Sequence, residues 1–230
     1  PQNLPAQPTP LIGREQAVAA VAALLRRPET RLVTLTGPGG TGKTRLGLQV
    51  ATEVLDAFTD GVFSVDLAPI SDPGLVASTM AQTLGVPGAG GQPARESLKE
   101  YLRAKQMLLL LDNFEQVLGA GPVVAELLAS APRLKVLVTS RAALHLRGEQ
   151  EYPVPPLALP PLVESGELRV ESSTKAGRVQ LSTLNPQLST FTQYAAVELF
   201  IQRAVAVKPD FAVTNENAPA VAEICHRLDG

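Results

Sequence analysis

Residues 31–44 have the sequence RLVTLTGPGGTGKT, and this stretch decides the fold. Its first six residues form the short apolar and β-branched run that is typical of a buried strand. The next eight fit the pattern G-x-x-x-x-G-K-[ST] in full. Leu46, Val50 and Val54 then recur at the spacing of an amphipathic helix. A strand before the motif and a helix after it indicate a phosphate-binding loop rather than a chance glycine-rich turn.

The residue types of this motif, called the P-loop below, suit the chemistry of phosphate binding. Glycines permit backbone conformations that a Cβ atom would block, so successive N–H groups can face phosphate oxygens at the positive end of the helix dipole. Lys43 can reach the β- and γ-phosphates, and the Thr44 hydroxyl can bind Mg²⁺. The predicted phosphate-binding residues are therefore Gly37, Pro38, Gly39, Gly40, Thr41, Gly42, Lys43 and Thr44.

Strands and helices alternate on both sides of the motif. Helical spacing begins at Arg14, and Asp72-Pro73 marks the start of a helix to about Leu84. Two more helices are predicted over residues 95–104 and 120–131, and further strands over residues 61–67, 106–112, 134–140 and 149–154. This alternation predicts an α/β fold with a parallel sheet covered on both faces.

Two of these strands end in side chains that suit a nucleotide site. Four leucines lead into Asp112, which emerges at the carboxyl end of its strand, where open α/β sheets bind ligands. We expect Asp112 to hold Mg²⁺ directly or through water, although it could instead cap the next helix. Arg141 follows the next strand and could sense the γ-phosphate or stabilise its charge; the alternative is a surface arginine in a turn.

Composition argues against two classes of partner. The net charge is −2 and aromatic residues make up 4%, so this chain has no basic field that would attract nucleic acid or an acidic membrane. The apolar run of residues 107–111 stops at Asp112 and is too short to span a bilayer. The single cysteine, Cys225, lies on an apolar helical stripe and is expected in the core; a lone cysteine also fits the reducing cytoplasm.

Five motifs in order resemble the NB-ARC type of STAND signal-transduction ATPases. They are LIGRE at 11–15, GPGGTGKT at 37–44, LLLLDNFE at 108–115, VLVTSR at 136–141 and ICHRLDG at 224–230. The likeness spans residues 9–154 and 195–230 and is greatest to the ATPase modules of large bacterial transcriptional regulators. It implies an AAA+-like P-loop NTPase fold with a five-stranded sheet of order 5-1-4-3-2.

The resemblance also implies roles for residues that spacing alone does not assign. It places Ile12, Gly13 and Arg14 beside the adenine and Arg45 near the α-phosphate. It identifies Arg141 with the family's sensor arginine.

The sequence pattern and the resemblance together predict how the chain is divided. We expect an extended, proline-rich arm over residues 1–13 that reaches the nucleotide site, and a nucleotide-binding domain over 14–157. Residues 158–192 would be an insertion or flexible loop, with a hairpin across residues 168–181 as the alternative. Residues 193–230 would begin a truncated helical domain, so that the rest of that domain and a winged-helix domain would be missing partners.

One departure from the family pattern concerns catalysis. Many relatives carry a second acid after the strand aspartate, as the base that activates water, but here that position is Asn113, and an amide cannot accept the proton. Glu115 could substitute, or it could be only an acid at the start of a helix.

These observations predict an ATP/ADP-binding switch module with slow Mg²⁺-dependent hydrolysis. ADP would hold a closed state, and ATP with Mg²⁺ would favour an open, signalling or self-assembling state. The predicted catalytic set is Lys43, Asp112, Glu115 and Arg141, with Thr44 and Asp112 as metal ligands. The alternatives are an ordinary P-loop enzyme, such as a small-molecule kinase or an ATPase motor, and a nucleic-acid-binding regulator.

Overall fold

A computed structural model describes residues 1–86, 93–161 and 185–228 of the chain. The chain divides into two compact units, Pro1–Pro155 and a second unit that begins at Pro156. None of the helices in these described ranges combines the length and apolarity that crossing a membrane requires.

The first unit is built on a parallel sheet of five strands. In spatial order the strands are β2 (Val62–Asp66), β3 (Leu108–Asp112), β4 (Lys135–Ser140), β1 (Leu32–Thr36) and β5 (Glu149–Pro153). Every neighbouring pair is parallel. This order confirms the predicted 5-1-4-3-2 sheet.

Helices cover both faces of this sheet, as predicted. They are α1 (Glu15–Arg26), α2 (Lys43–Glu53), α3 (Val76–Thr83), α4 (Ala94–Leu102) and α5 (Gly121–Ser130). Helices α1 and α2 share one hydrophobic cluster, and α3, α4 and α5 share another.

Strand β3 explains why its sequence is a continuous leucine run. Successive side chains of a strand point to opposite faces of the sheet. Leu108 and Leu110 accordingly pack with α1 and α2, whereas Leu109 and Leu111 pack with α3, α4 and α5. All four leucines are buried, so the strand contributes to both cores and its first polar side chain is Asp112.

Close packing of α2 positions the P-loop over the carboxyl ends of the strands. A Cβ atom on Gly47 would lie 3.1 Å from Leu110 Cδ1 and 3.4 Å from Thr139 Cγ2, so the absence of a side chain lets α2 approach the sheet. The register pairs Thr36 with Ser140, so β1 and β4 end at the same edge. The loop before α2 and the residues after β3 and β4 therefore meet there.

Two local features differ from the sequence prediction. Asp72 does cap a turn, because its side chain accepts a hydrogen bond of 2.8 Å from Gly74 N, but the turn is a 3₁₀ helix, Pro73–Leu75, and α3 begins only at Val76. Another 3₁₀ helix, Phe114–Ala120, which is kinked at Val117, follows β3 directly and was not predicted. Asn113 precedes it in the left-handed conformation, with φ of 61°.

The N-terminal residues pair with the outer strand of the sheet. Pro1 O accepts a hydrogen bond of 3.1 Å from Val62 N. The Asn3 side chain donates to Ser64 O at 2.9 Å and accepts from Ser64 N at 2.7 Å. Because β2 is an edge strand, these contacts occupy backbone N–H and C=O groups that could otherwise pair with a strand of another chain.

The second unit contains three described helices: α6 (Asn185–Phe191), α7 (Ala195–Val207) and α8 (Ala218–Arg227). Helices α7 and α8 confirm the two predicted there, and Cys225 lies in their shared core as expected. Helix α6 was not predicted, because it falls within the segment 158–192 that was expected to be a loop or hairpin. The hairpin expected across residues 168–181 lies outside the described residues.

Candidate nucleotide-binding site

The P-loop follows a path that requires glycine. Gly37, Gly40 and Gly42 have φ of 146°, 87° and 82°, values that side-chain-bearing residues rarely adopt. A Cβ atom on Gly37 would also lie 2.7 Å from Val154 O, because the start of the loop packs on the chain at the end of β5. Val154 N donates to Thr36 O at 2.7 Å and so holds the two segments together.

Lys43 lies inside the loop rather than in solvent. The residue is 8% exposed, and its Nζ atom donates to Gly37 O at 2.8 Å and to Pro38 O at 2.6 Å. Burial lowers the pKa of this lysine, and the nearby charge of Glu115 opposes that shift. The structure thus presents a buried cation enclosed by the backbone of the loop.

Asp112 accepts hydrogen bonds from two threonine hydroxyls on neighbouring elements. Thr44 Oγ1, at the start of α2, donates to Asp112 Oδ1 at 2.9 Å, and Thr139 Oγ1, on β4, donates to the same oxygen. Thr139 Oγ1 in turn accepts from Asn113 N at 3.0 Å. A carboxylate and a hydroxyl held side by side are oxygen donors of the kind that Mg²⁺ prefers, so these residues fit a magnesium site beside the P-loop.

Thr139 has a function in this arrangement that sequence reasoning missed. The register pairs Leu111 with Val138, so the next residues along the two strands, Asp112 and Thr139, lie opposite each other at the sheet edge. The sequence does contain a sign of this contact, because the apolar strand β4 ends in the polar residues Thr139 and Ser140.

Arg141 and Glu115 form an ion pair at the mouth of the site. Arg141 Nε lies 3.5 Å from Glu115 Oε1, and the two side chains are 67% and 17% exposed. The other carboxylate oxygen, Glu115 Oε2, is buried and has no hydrogen-bond donor among the described residues. Arg141 Nη2 would lie 3.7 Å from a Cβ atom on Gly39, so the guanidinium also lies next to the P-loop.

These groups line one pocket of about 370 Å³. P-loop glycines, Lys43 and Thr44 form one side, and Glu115, Thr139 and Arg141 form the other. The structure thereby brings Lys43, Thr44, Glu115 and Arg141 from the predicted site into one cavity, and Asp112 is bonded to Thr44 behind it. A larger groove of about 620 Å³ lies between α1 and α2 and contains no residue of the predicted site.

Two predicted nucleotide ligands donate hydrogen bonds to the chain itself, and one of them, Arg45, also lines the pocket. Arg45 Nη2 donates to Thr9 O at 2.6 Å, to Thr9 Oγ1 at 3.0 Å and to Pro10 O at 3.1 Å, so its guanidinium fastens the N-terminal segment to α2. Arg14 is buried, and its Nη2 donates to Thr41 O at 3.1 Å and to Pro155 O at 2.6 Å.

The residues next to Arg14 in the sequence were also predicted to lie beside the adenine. Ile12 is buried in the core, and Gly13 has a φ of 63°, a conformation that favours glycine. Through Arg14, this part of the chain is joined to the P-loop.

Comparison with known families agrees with this geometry. The family model of the NB-ARC domain matches residues 14–145, which is more than half of the chain. The chain belongs to the NB-ARC family. It is therefore a nucleotide-binding module, and domains of this family bind nucleotide together with a metal ion, generally Mg²⁺.

Similar chains occur in larger proteins. A Mycobacterium tuberculosis protein, provisionally named an HTH-type transcriptional regulator, is 38% identical over 203 residues, which cover 88% of this chain and 19% of that protein. An uncharacterized protein of the same organism is 36% identical over 223 residues, which cover 96% of this chain and 48% of that protein. The chain thus spans about a fifth and about half of these relatives.

A solved structure supports the fold. The crystal structure of Cdc6p from Pyrobaculum aerophilum superimposes with a TM-score of 0.51 at 20% identity, covering 68% of this chain and 48% of that one. At this identity the likeness shows the fold alone, which is the AAA+ P-loop architecture.

The packing of the P-loop on β5 generates a test with a matched control. Gly37→Ala should destabilise the protein by about 1–3 kcal/mol, because the new methyl group meets Val154 O and the φ of Gly37 is unfavourable for alanine. Gly39→Ala should cost less than about 0.5 kcal/mol, because its nearest neighbour lies at ordinary contact distance. Urea unfolding measures both variants; equal stabilities would mean that the loop does not pack in this way.

Proposed function

We propose that this NB-ARC module is an ATP/ADP-binding switch with slow Mg²⁺-dependent hydrolysis. The observation that carries the proposal is the single pocket shared by Lys43, Thr44, Glu115 and Arg141, with Asp112 bonded to Thr44 behind it. ADP would favour a closed state. ATP with Mg²⁺ would favour an open state that signals or self-assembles.

Lys43 supports the phosphate-binding step. Its ammonium group already has two carbonyl acceptors, so the lysine is ordered at the pocket before any phosphate arrives. Phosphate oxygens carry negative charge and form stronger hydrogen bonds with an ammonium group than neutral carbonyls do. We therefore infer that the β- and γ-phosphates replace Gly37 O and Pro38 O as its acceptors.

Thr44 and Asp112 support the metal-binding step. Their mutual hydrogen bond keeps a hydroxyl oxygen and a carboxylate at the start of α2 and the end of β3. Bound Mg²⁺ would neutralise negative charge on the phosphates. Both Thr44 and Thr139 donate to Oδ1, so Oδ2 is the Asp112 oxygen that receives neither hydroxyl.

Arg141 supports discrimination between ATP and ADP. Its side chain is mostly exposed, and its guanidinium lies beside the P-loop at Gly39. A switch requires a contact that one nucleotide makes and the other does not. The γ-phosphate, which ADP lacks, supplies such a contact.

The residues available as a base favour slow hydrolysis. Asn113 cannot accept a proton, and Glu115 is the remaining carboxylate that lines the pocket among the described residues. One Glu115 oxygen is held by Arg141, and the other is buried without a donor. We infer that Glu115 acts as the base from outside the usual position, which Asn113 occupies, and that hydrolysis is therefore slow.

The relatives support a regulatory setting. Because similar chains make up only part of larger proteins, we propose that this module controls a longer cytoplasmic protein through helical and winged-helix segments. This chain itself would contact neither nucleic acid nor membrane.

Loss of the buried cation tests phosphate binding. Lys43→Ala should weaken ADP binding in the presence of Mg²⁺ by at least about tenfold, since it removes charge-assisted hydrogen bonds. Calorimetric titration measures the affinity, with Lys208→Ala, an exposed lysine of the second unit, as the control. Unchanged affinity in a folded Lys43 variant would refute the phosphate-binding assignment.

Loss of the carboxylate at Glu115 tests the base. Glu115→Gln should lower the single-turnover rate of ATP hydrolysis by about 10²-fold or more while ATP binding persists. The reason is that glutamine has a similar shape but cannot accept the proton. A rate within about twofold of the wild type would leave Glu115 as a structural acid at the start of its 3₁₀ helix.

Arg141→Ala should weaken ATP binding about ten- to a hundredfold relative to ADP binding, because one charge-assisted contact to the γ-phosphate is lost. The measurement is the ATP/ADP affinity ratio in a protein extended through the helical and winged-helix domains, at matched Mg²⁺ and salt. Arg147→Ala, an exposed arginine after the same strand, is the control. An identical ratio for wild type and the Arg141 variant would reject the sensor role and leave Arg141 as a surface arginine in a turn.

A further inference from the structure

The ion pair between Glu115 and Arg141 occupies the guanidinium that the γ-phosphate would need. We propose that Arg141 stays on Glu115 when ADP is bound and transfers to the γ-phosphate when ATP is bound, so that Glu115 sets the preference of the site between the two nucleotides. This inference rests on the proposed switch function and assigns Glu115 a second role, as the competitor of the γ-phosphate for Arg141.

The geometry of the pair suits an exchange of partners. A single nitrogen, Arg141 Nε, approaches one carboxylate oxygen at 3.5 Å, which is longer than a charge-assisted hydrogen bond of about 2.7–2.9 Å. Because the Arg141 side chain is mostly exposed, solvent screens its attraction to Glu115 and weakens the pair. A phosphate group offers more negative charge and several oxygens to the planar guanidinium fork, so it can outcompete the carboxylate.

The arginine is the partner that can move. Glu115 lies in the 3₁₀ helix Phe114–Ala120, which is anchored in the core by the buried side chains of Phe114 and Val117. The Glu115 side chain is largely covered, whereas that of Arg141 is mostly exposed. Because the guanidinium already lies next to Gly39 of the P-loop, we infer that rotation of the side chain is enough for the change of partner.

The exchange couples the nucleotide to the carboxylate. While Arg141 is paired, the charge of Glu115 is partly neutralised; after transfer, that carboxylate faces the pocket without its cation. The charge of Glu115 is also felt at Lys43, where it is the largest electrostatic influence that raises the pKa of the lysine. The γ-phosphate would therefore both bind Arg141 and free the Glu115 carboxylate from its ion pair.

A double-mutant cycle on nucleotide binding tests the exchange without relying on turnover. The affinities of ADP and of a non-hydrolysable ATP analogue are measured with Mg²⁺ for four proteins: wild type, Glu115→Gln, Arg141→Ala and the double variant. Glu115→Gln should raise the analogue/ADP affinity ratio, and the increase should be about 1.5- to 5-fold greater when Arg141 is present than in the Arg141→Ala background.

Comparing the effect of Glu115→Gln with and without Arg141 distinguishes an exchange of partners from simple repulsion of the γ-phosphate by Glu115. If Glu115 only repels the γ-phosphate, the gain from Glu115→Gln will be the same with and without Arg141, and the exchange is refuted. If Glu115 instead orients Arg141 towards the phosphate, Glu115→Gln will lower the ratio, which also refutes it. Glu126→Gln removes a carboxylate that pairs with Arg95 and Lys99 away from the pocket, and should leave the ratio unchanged.

Failure of the inference and failure of the proposed function give different results. If Arg141→Ala lowers the ratio but the cycle is additive, the sensor assignment stands and only the exchange fails. If Arg141→Ala leaves the ratio unchanged, or the wild type binds neither nucleotide, the proposed function and the exchange both fail.

Discussion

The carboxylate of Asp112 is the contact on which the arrangement of the site depends. It ends β3 and accepts hydrogen bonds from Thr44 on α2 and from Thr139 on β4. Because it is 7% exposed, its oxygens need hydrogen-bond partners within the protein. Once these three residues are joined, chain connectivity places Lys43 beside Thr44, Glu115 three residues beyond Asp112 and Arg141 two residues beyond Thr139.

The pocket combines a fixed part with a movable part. Lys43 and Asp112 are buried and bonded to backbone or to threonine hydroxyls, so their positions are determined by the sheet and by α2. Arg141 is mostly exposed and has one weak partner. This division suits a switch, because phosphate and metal binding need preorganised groups whereas a response to the γ-phosphate needs a group with two alternative contacts.

Much of this architecture could be predicted because its signals are local. The P-loop and the leucine run of β3 are contiguous, and the sheet order followed from the family resemblance. Contacts between distant residues could not be predicted. Nothing in the sequence shows that Arg45 would donate a hydrogen bond to Thr9, or that Glu115 would meet Arg141. The 3₁₀ helix after β3 was missed because it depends on a left-handed Asn113, which the alternation of strands and helices does not reveal.

The most direct test of the organising role of Asp112 is the Mg²⁺ dependence of ADP affinity in wild type and Asp112→Asn. Asparagine keeps an oxygen acceptor for Thr44 and Thr139 but removes the charge that a divalent cation requires. We expect Mg²⁺ to tighten ADP binding by the wild type. The variant should bind ADP without Mg²⁺ as tightly as the wild type does, but Mg²⁺ should increase its ADP affinity far less. An equal gain in both folded proteins would contradict the account.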